Sequence, residues 1–244
     1  MKTVKSDADP LPFMNQVPSD EHNKPAEAAF ATRPAAPISP GTIEQPHLSA
    51  AESRLFQRVL SSSARNYLEF GIGGSTIAAV RSGAAEIVSV DSDGAWVAAV
   101  SAHPEVRPVV DRGHASLIHA DIGPVGEWGR PYDFSSAPLW PRYIAMPWAE
   151  WSRRGSFPDL VYVDGRFRVA CVLSVALASL ARSSAAGPHI LMHDMSPQRP
   201  GYAQVYLVCE DIEAADTLRL LRLKPEVDRA EVLSRFLSAL FNPE

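Results

Sequence analysis

Apolar and polar positions change their spacing repeatedly along this chain, and each change marks an element. Ser49-Ala-Ala-Glu52 reads as a capping box, and Leu55, Val59 and Leu60 follow along one side of the helix it opens. A short apolar run, Asn66-Tyr-Leu-Glu-Phe70, then meets a turn holding Gly71, Gly73 and Gly74, after which Ser75 and Thr76 open a second helix running to Val80. Glu86-Ile-Val-Ser-Val90 is a β-branched strand ending at Asp91, and Asp93-Gly94 precedes an Ala- and Val-rich helix that Asp93 is placed to cap. Three more strands read as Ser116–Asp121, Asp159–Asp164 and His189–Asp194, with an apolar helix over Val169–Leu180. Strands alternating with helices predict βαβ units and a doubly wound α/β fold on a parallel sheet. The end of the chain changes character. Pro197, Pro200 and Gly201 make a loop, Tyr202–Cys209 is expected as a helix, and Thr217–Leu223 as a strand.

Two stretches fall outside that rhythm. Residues 1–47 carry prolines at 10, 12, 18, 25, 34, 37, 40 and 46 with no apolar periodicity, which predicts a disordered leader ahead of a single domain over 48–244. Residues 123–157 form an aromatic-rich insertion with Trp128, Trp140, Trp148 and Trp151. A connection this long in a compact domain has a function or no order, and its aromatics argue for order. If 139–153 is helical, Trp140, Tyr143 and Trp151 share a face, with Pro147 expected to interrupt it. The segment then either packs on the sheet as a satellite cluster or walls an acceptor pocket; the two are compatible.

Composition narrows the function classes only broadly. A net charge of −5 and a pI near 5.8 leave no basic footprint for nucleic acid. No stretch is long and apolar enough for a membrane span, and Lys2 and Lys5 are not followed by a secretory apolar region, so a cytoplasmic protein is expected by default. Cys171 and Cys209 lack metal spacing and read as small core residues.

The chemistry gathers at strand ends. Gly71, Gly73 and Gly74 make a turn whose bare backbone a ligand can approach, ahead of a helix N-terminus with free N–H groups. The dinucleotide fingerprint is incomplete, because Thr76 stands where its third glycine would be. Asp91 lies about 20 residues beyond the turn, where α/β nucleotide sites bond ribose hydroxyls. Asp121, Asp164 and Asp194 end the next three strands. Ligands bind at the carboxyl ends of strands in open α/β sheets, so four acids at one edge point to one site.

The order Glu69-x-Gly71-x-Gly73-Gly74 resembles the first motif of the class I S-adenosylmethionine-dependent methyltransferases. Taken with Val88-Ser-Val-Asp-Ser-Asp93, His119-Ala-Asp-Ile-Gly123, Val163-Asp-Gly-Arg166 and Met192-His-Asp194, the chain from about Pro46 onward looks like a bacterial methyltransferase-like group. The resemblance implies a mostly parallel seven-stranded sheet with an antiparallel C-terminal strand. It also implies S-adenosyl-L-methionine as cofactor, held by Glu69, Gly71, Gly73, Gly74, Ser75, Asp91 and Asp121. The acceptor does not come with it. Asp164, His193 and Asp194 are the candidates for proton removal, and Arg166 with Trp140 for a small acceptor, anionic or sugar-like. Arg168 is expected to pair with the site acids. Partial similarity to catechol O-methyltransferase would put a divalent metal on Asp164 and Asp194, but Met195 replaces the asparagine of that family and disfavours it. An NAD-dependent oxidoreductase and a non-catalytic nucleotide-binding scaffold are the alternatives on the same fold.

Overall fold

The computed structural model describes residues 43–182 and 187–244. Seven strands form one sheet: β1 (Asn66–Phe70), β2 (Glu86–Asp91), β3 (Ala115–His119), β4 (Leu160–Val163), β5 (His189–Met192), β6 (Cys209–Ala215) and β7 (Leu218–Leu223). Their spatial order is β3-β2-β1-β4-β5-β7-β6. The first five run parallel, and β7 enters antiparallel between β5 and β6. This is the seven-stranded α/β arrangement expected, with the reversed strand in a C-terminal hairpin.

Burial explains the sequence pattern. Strands β1, β4 and β5 are covered on both faces, so their residues are apolar almost without alternation. On one face Leu68, Val88, Val161 and Ile190 pack under α5 (Pro141–Arg154), α6 (Arg168–Leu180) and α7 (Arg229–Ala239). On the other, Tyr67, Ile87, Leu160 and Leu191 meet Leu55, Phe56 and Val59 of α1 (Ala50–Ser63). A third cluster joins α2 (Gly74–Arg81) with α3 (Gly94–Ser101) and the short α4 (Arg107–Asp111) through Ile77, Val97, Val100 and Val106. Cys171 and Cys209 are free and buried. Among the described residues no helix is long and apolar enough to cross a membrane.

Several expectations change here. Residues 1–42 of the expected leader lie outside the described residues, whereas Ile43, also assigned to the leader, is only 3% exposed and packs with Ile72 and Ile77. The aromatic segment 123–157 contains the crossover helix of the β3–β4 unit, α5, which runs through Pro147 without a break. Pro147 removes one internal N–H, but it lies on the buried face with Tyr143, Ile144 and Trp151, where packing outweighs that loss. The helix expected over Tyr202–Cys209 is instead a 3-10 segment displaced to Pro200–Leu207, and Cys209 begins β6. Helix α7 was not anticipated, although Asp228 caps it through the Ala230 and Glu231 amides.

Candidate functional site

The order of strands reverses between β1 and β4, and the turns after these two strands touch. A Cβ on Gly71 (φ +110°) would lie 2.6 Å from the Gly165 backbone nitrogen, so only glycine allows this approach. The three glycines of the β1–α2 turn have different surroundings. Gly73 has open space where a side chain would stand. Over Gly74 that space is filled by the chain itself, because a Cβ would lie 2.1 Å from the Gln45 carbonyl carbon. Gly74, expected at the cofactor, instead admits the segment leading into α1.

Glu69 is fully buried in β1 and faces inward, not toward the sheet edge. Its carboxylate accepts from the hydroxyls of Ser89 (2.9 Å), Tyr67 (3.2 Å) and Thr76. Ser75 also bonds to it. Thr76 Oγ1 in turn accepts the Gly73 N–H at 3.1 Å. Glu69 therefore sets the shape of the glycine turn through Thr76, and Ser75 belongs to the same buried network. Burial raises its carboxyl to about 7 against the pull of these hydroxyls. Thr76 was read as opening α2 and as a break in a fingerprint; the acid seven residues before it, on a strand feeding the helix, was the available signal for its link to Glu69.

Asp91 ends β2 half-buried beside this turn. Its two oxygens accept the Ile72 N–H (3.1 Å) and the Asp93 N–H (2.9 Å), and burial raises its pKa to about 6. The loop after β3 crosses next to it, with Ser92 Oγ donating to the Gly129 carbonyl at 2.9 Å. Trp128 in that loop is 77% exposed at φ +60° and meets His47 edge-on at 6.1 Å. Asp121 is exposed and accepts from the Gly123 N–H. Asp93 caps α3, as expected.

The ends of β4 and β5 are built differently, from charges bound to one another. His193 Nδ1 lies 2.9 Å from Asp164 Oδ1, and its Nε2 lies 3.4 Å from Glu52 Oε1. Burial works against charge on this imidazole, but Asp164, with Asp194 and Glu52 beyond it, raises its pKa above the ordinary histidine value. Burial likewise opposes charge on Glu52, yet hydrogen bonds from Ser49 and Thr217 hold it at about 2. Arg168, 3% exposed, bridges Asp164 Oδ1 (3.2 Å) and Asp194 Oδ2 (2.8 Å) and also donates to the carbonyls of Asp164, Gly165 and His193. All of its donor directions are used, and it clamps the two strand ends together. Asp164, His193 and Asp194 also present three ligand atoms within 4.8 Å. They do not fit a divalent metal, since the Arg168 guanidinium already lies between the two acids and Met195 is a buried thioether.

Arg166 stands apart from this network. Its Nε is buried without a hydrogen-bond partner, and its guanidinium makes no ion pair among the described residues. Trp140, expected in an acceptor pocket, is 1% exposed and packs between Phe134 and Phe167. Two surface grooves flank the domain. One runs between α1 and α2, and the other lies around Asn66, Asp159 and His189 at the opposite end of the strands.

No protein-family model matches the sequence, and no curated protein matches it. Among solved structures, a methyltransferase-like protein from Silicibacter pomeroyi is similar over 83% of this chain and 100% of its own, with 27% identity and a TM-score of 0.64. The fold is that of the class I methyltransferase-like proteins. An O-methyltransferase from Bacillus cereus, in complex with SAH, is 13% identical with a TM-score of 0.46, covering 76% of this chain and 87% of its own. The O-methyltransferase TomG from Streptomyces achromogenes, in complex with SAM, is 16% identical with a TM-score of 0.44, covering 72% and 80%. Those two likenesses are too distant to carry an inference about this domain's site.

Proposed function

We propose that this methyltransferase-like domain transfers a methyl group from S-adenosyl-L-methionine to a small anionic acceptor. The observation that carries the reading is the open space at Gly73, between the end of β1 and the half-buried Asp91 carboxylate. In a chain so similar to a methyltransferase-like protein, that cradle is where the methionine part and ribose of the cofactor would lie. Each Asp91 oxygen spends one lone pair on a backbone amide and keeps another for a ribose hydroxyl. Asp121, exposed beyond β3, would meet the adenine end. Glu69 and Thr76 serve by fixing the turn, and Gly71 by letting it rest on Gly165.

The cofactor supplies a methyl group on a positively charged sulfur, so transfer needs positioning and an electron pair on the acceptor. Both ring nitrogens of His193 face carboxylates, and Asp164 and Asp194 are tied to Arg168. These groups are poorly free to take a proton. An acceptor that arrives already deprotonated needs no base, and the unpaired guanidinium of Arg166 suits such an anion.

Calorimetric titration of the purified protein with S-adenosylhomocysteine, with NAD in parallel, tests the cofactor half of this reading. Binding of S-adenosylhomocysteine alone is the expected result. Binding of NAD alone would replace the reading by the oxidoreductase alternative, and binding of neither would favour the scaffold.

A further inference from the structure

The segment following α7 returns to the carboxyl edge of the sheet and brings Glu244 among arginines from three separate loops. Glu244 Oε1 lies 2.5 Å from Arg130 Nη2, in the loop after β3, and Oε2 lies 4.0 Å from Arg199 Nη1, in the loop after β5. The Glu244 main-chain oxygen accepts the Arg168 N–H at 3.2 Å, at the start of α6. Arg166 lies close enough for the charge of Glu244 to act on it, with Tyr143 and Tyr202 nearby. Its buried Nε has no partner in the described structure.

This arrangement has the form of an oxyanion site held by a carboxylate of the chain itself. Arg130 and Arg199 contact different oxygens of Glu244, the side chains of Arg130 and Glu244 are about half-exposed, and their ion pair can be exchanged for another at little cost. Burial and the neighbouring Arg168 both disfavour the charge on Arg166. A second anion beside Arg166 would relieve that.

We propose that Arg130, Arg166 and Arg199 form a subsite for the carboxylate or phosphate of an incoming ligand, and that Glu244 occupies it until that ligand displaces its side chain. Calling the ligand the methyl acceptor rests on the proposed methyl transfer; the subsite itself does not. Binding in it would pair the guanidinium that the resting structure leaves unpaired, and would free Glu244 toward solvent.

The test is calorimetric titration of the parent chain and Glu244→Gln with sodium benzoate and with inorganic phosphate, each with and without S-adenosylhomocysteine. Removing the internal charge is expected to tighten binding of at least one anion about fivefold, the scale of a half-exposed ion pair. Adding Arg166→Met to that background should abolish the gain. A gain for benzoate alone assigns a carboxylate ligand, and for phosphate alone a phosphate. Affinities equal within about twofold for both anions, or a gain that survives Arg166→Met, would overturn the subsite. A gain without any S-adenosylhomocysteine binding would keep the subsite and remove methyl transfer.

Discussion

The two halves of the sheet edge solve different problems. Around β1 and β2 the polar groups are drawn inward and the backbone is left bare. Glu69 is buried under hydroxyls, Asp91 is held by amides, and Gly73 faces open space. Around β4 and β5 the charges face one another. Arg168, Asp164, His193, Asp194 and Glu52 form a chain of ion pairs that leaves little unsatisfied. One half is shaped to receive something, and the other is shaped to hold still. In the proposed reading, what the β4–β5 half offers a ligand lies beside the ion-pair chain, at Arg166.

The contrast breaks most visibly at Arg168. Arg168→Met leaves two carboxylates and three carbonyls without their donor, and removing one partner of a buried ion pair costs about 3–5 kcal/mol. Urea unfolding should show that loss, and a change under about 1 kcal/mol would mean the network is not a clamp. Glu69 sharpens the other half through pH. Its folded carboxyl holds a proton up to about pH 7, whereas the unfolded value is 4.5, so the folded state binds more protons in between. Stability should therefore fall as pH rises from 4.5 to 7, by on the order of 3 kcal/mol. Glu69→Gln should flatten that fall, as followed by denaturant midpoints across the window. Glu52 has the opposite sign: held at about 2 when folded, it adds stability as pH rises from there toward 4.5.

The glycines give a smaller and more selective comparison. Gly71→Ala sets a side chain at φ +110° against the Gly165 backbone and should destabilise by about 2 kcal/mol or more. Gly73→Ala, in extended backbone with open space above it, should change stability by less than about 0.5 kcal/mol. Thermal unfolding of the pair distinguishes them, and equal losses would mean the open space is not as described.

These differences also explain what could be read from the sequence. Strand ends and the glycine turn were legible because local period and turn chemistry specify them; the parallel core followed from apolar runs at β1, β4 and β5. The open position at Gly73 and the filled one at Gly74 could not be separated, since the filling atoms come from Gln45 and Pro46 in a segment that reads as leader. Glu52 was recognised as part of a capping box, but its other partners, Thr217 between β6 and β7 and His193 just after β5, are joined to it by no spacing rule. Trp140 has the composition of a pocket wall and the burial of a core residue, which only packing decides. Arg130, Arg199 and Glu244 meet only because two loops and the segment after α7 converge.

The central claim is that the space over Gly73 receives the cofactor, and Gly73→Val tests it most directly. Calorimetric titration with S-adenosylhomocysteine should show micromolar binding for the parent chain and at least about a hundredfold loss for the variant, with the unfolding temperature little changed. Equal affinity in the two proteins would contradict the assignment of the site.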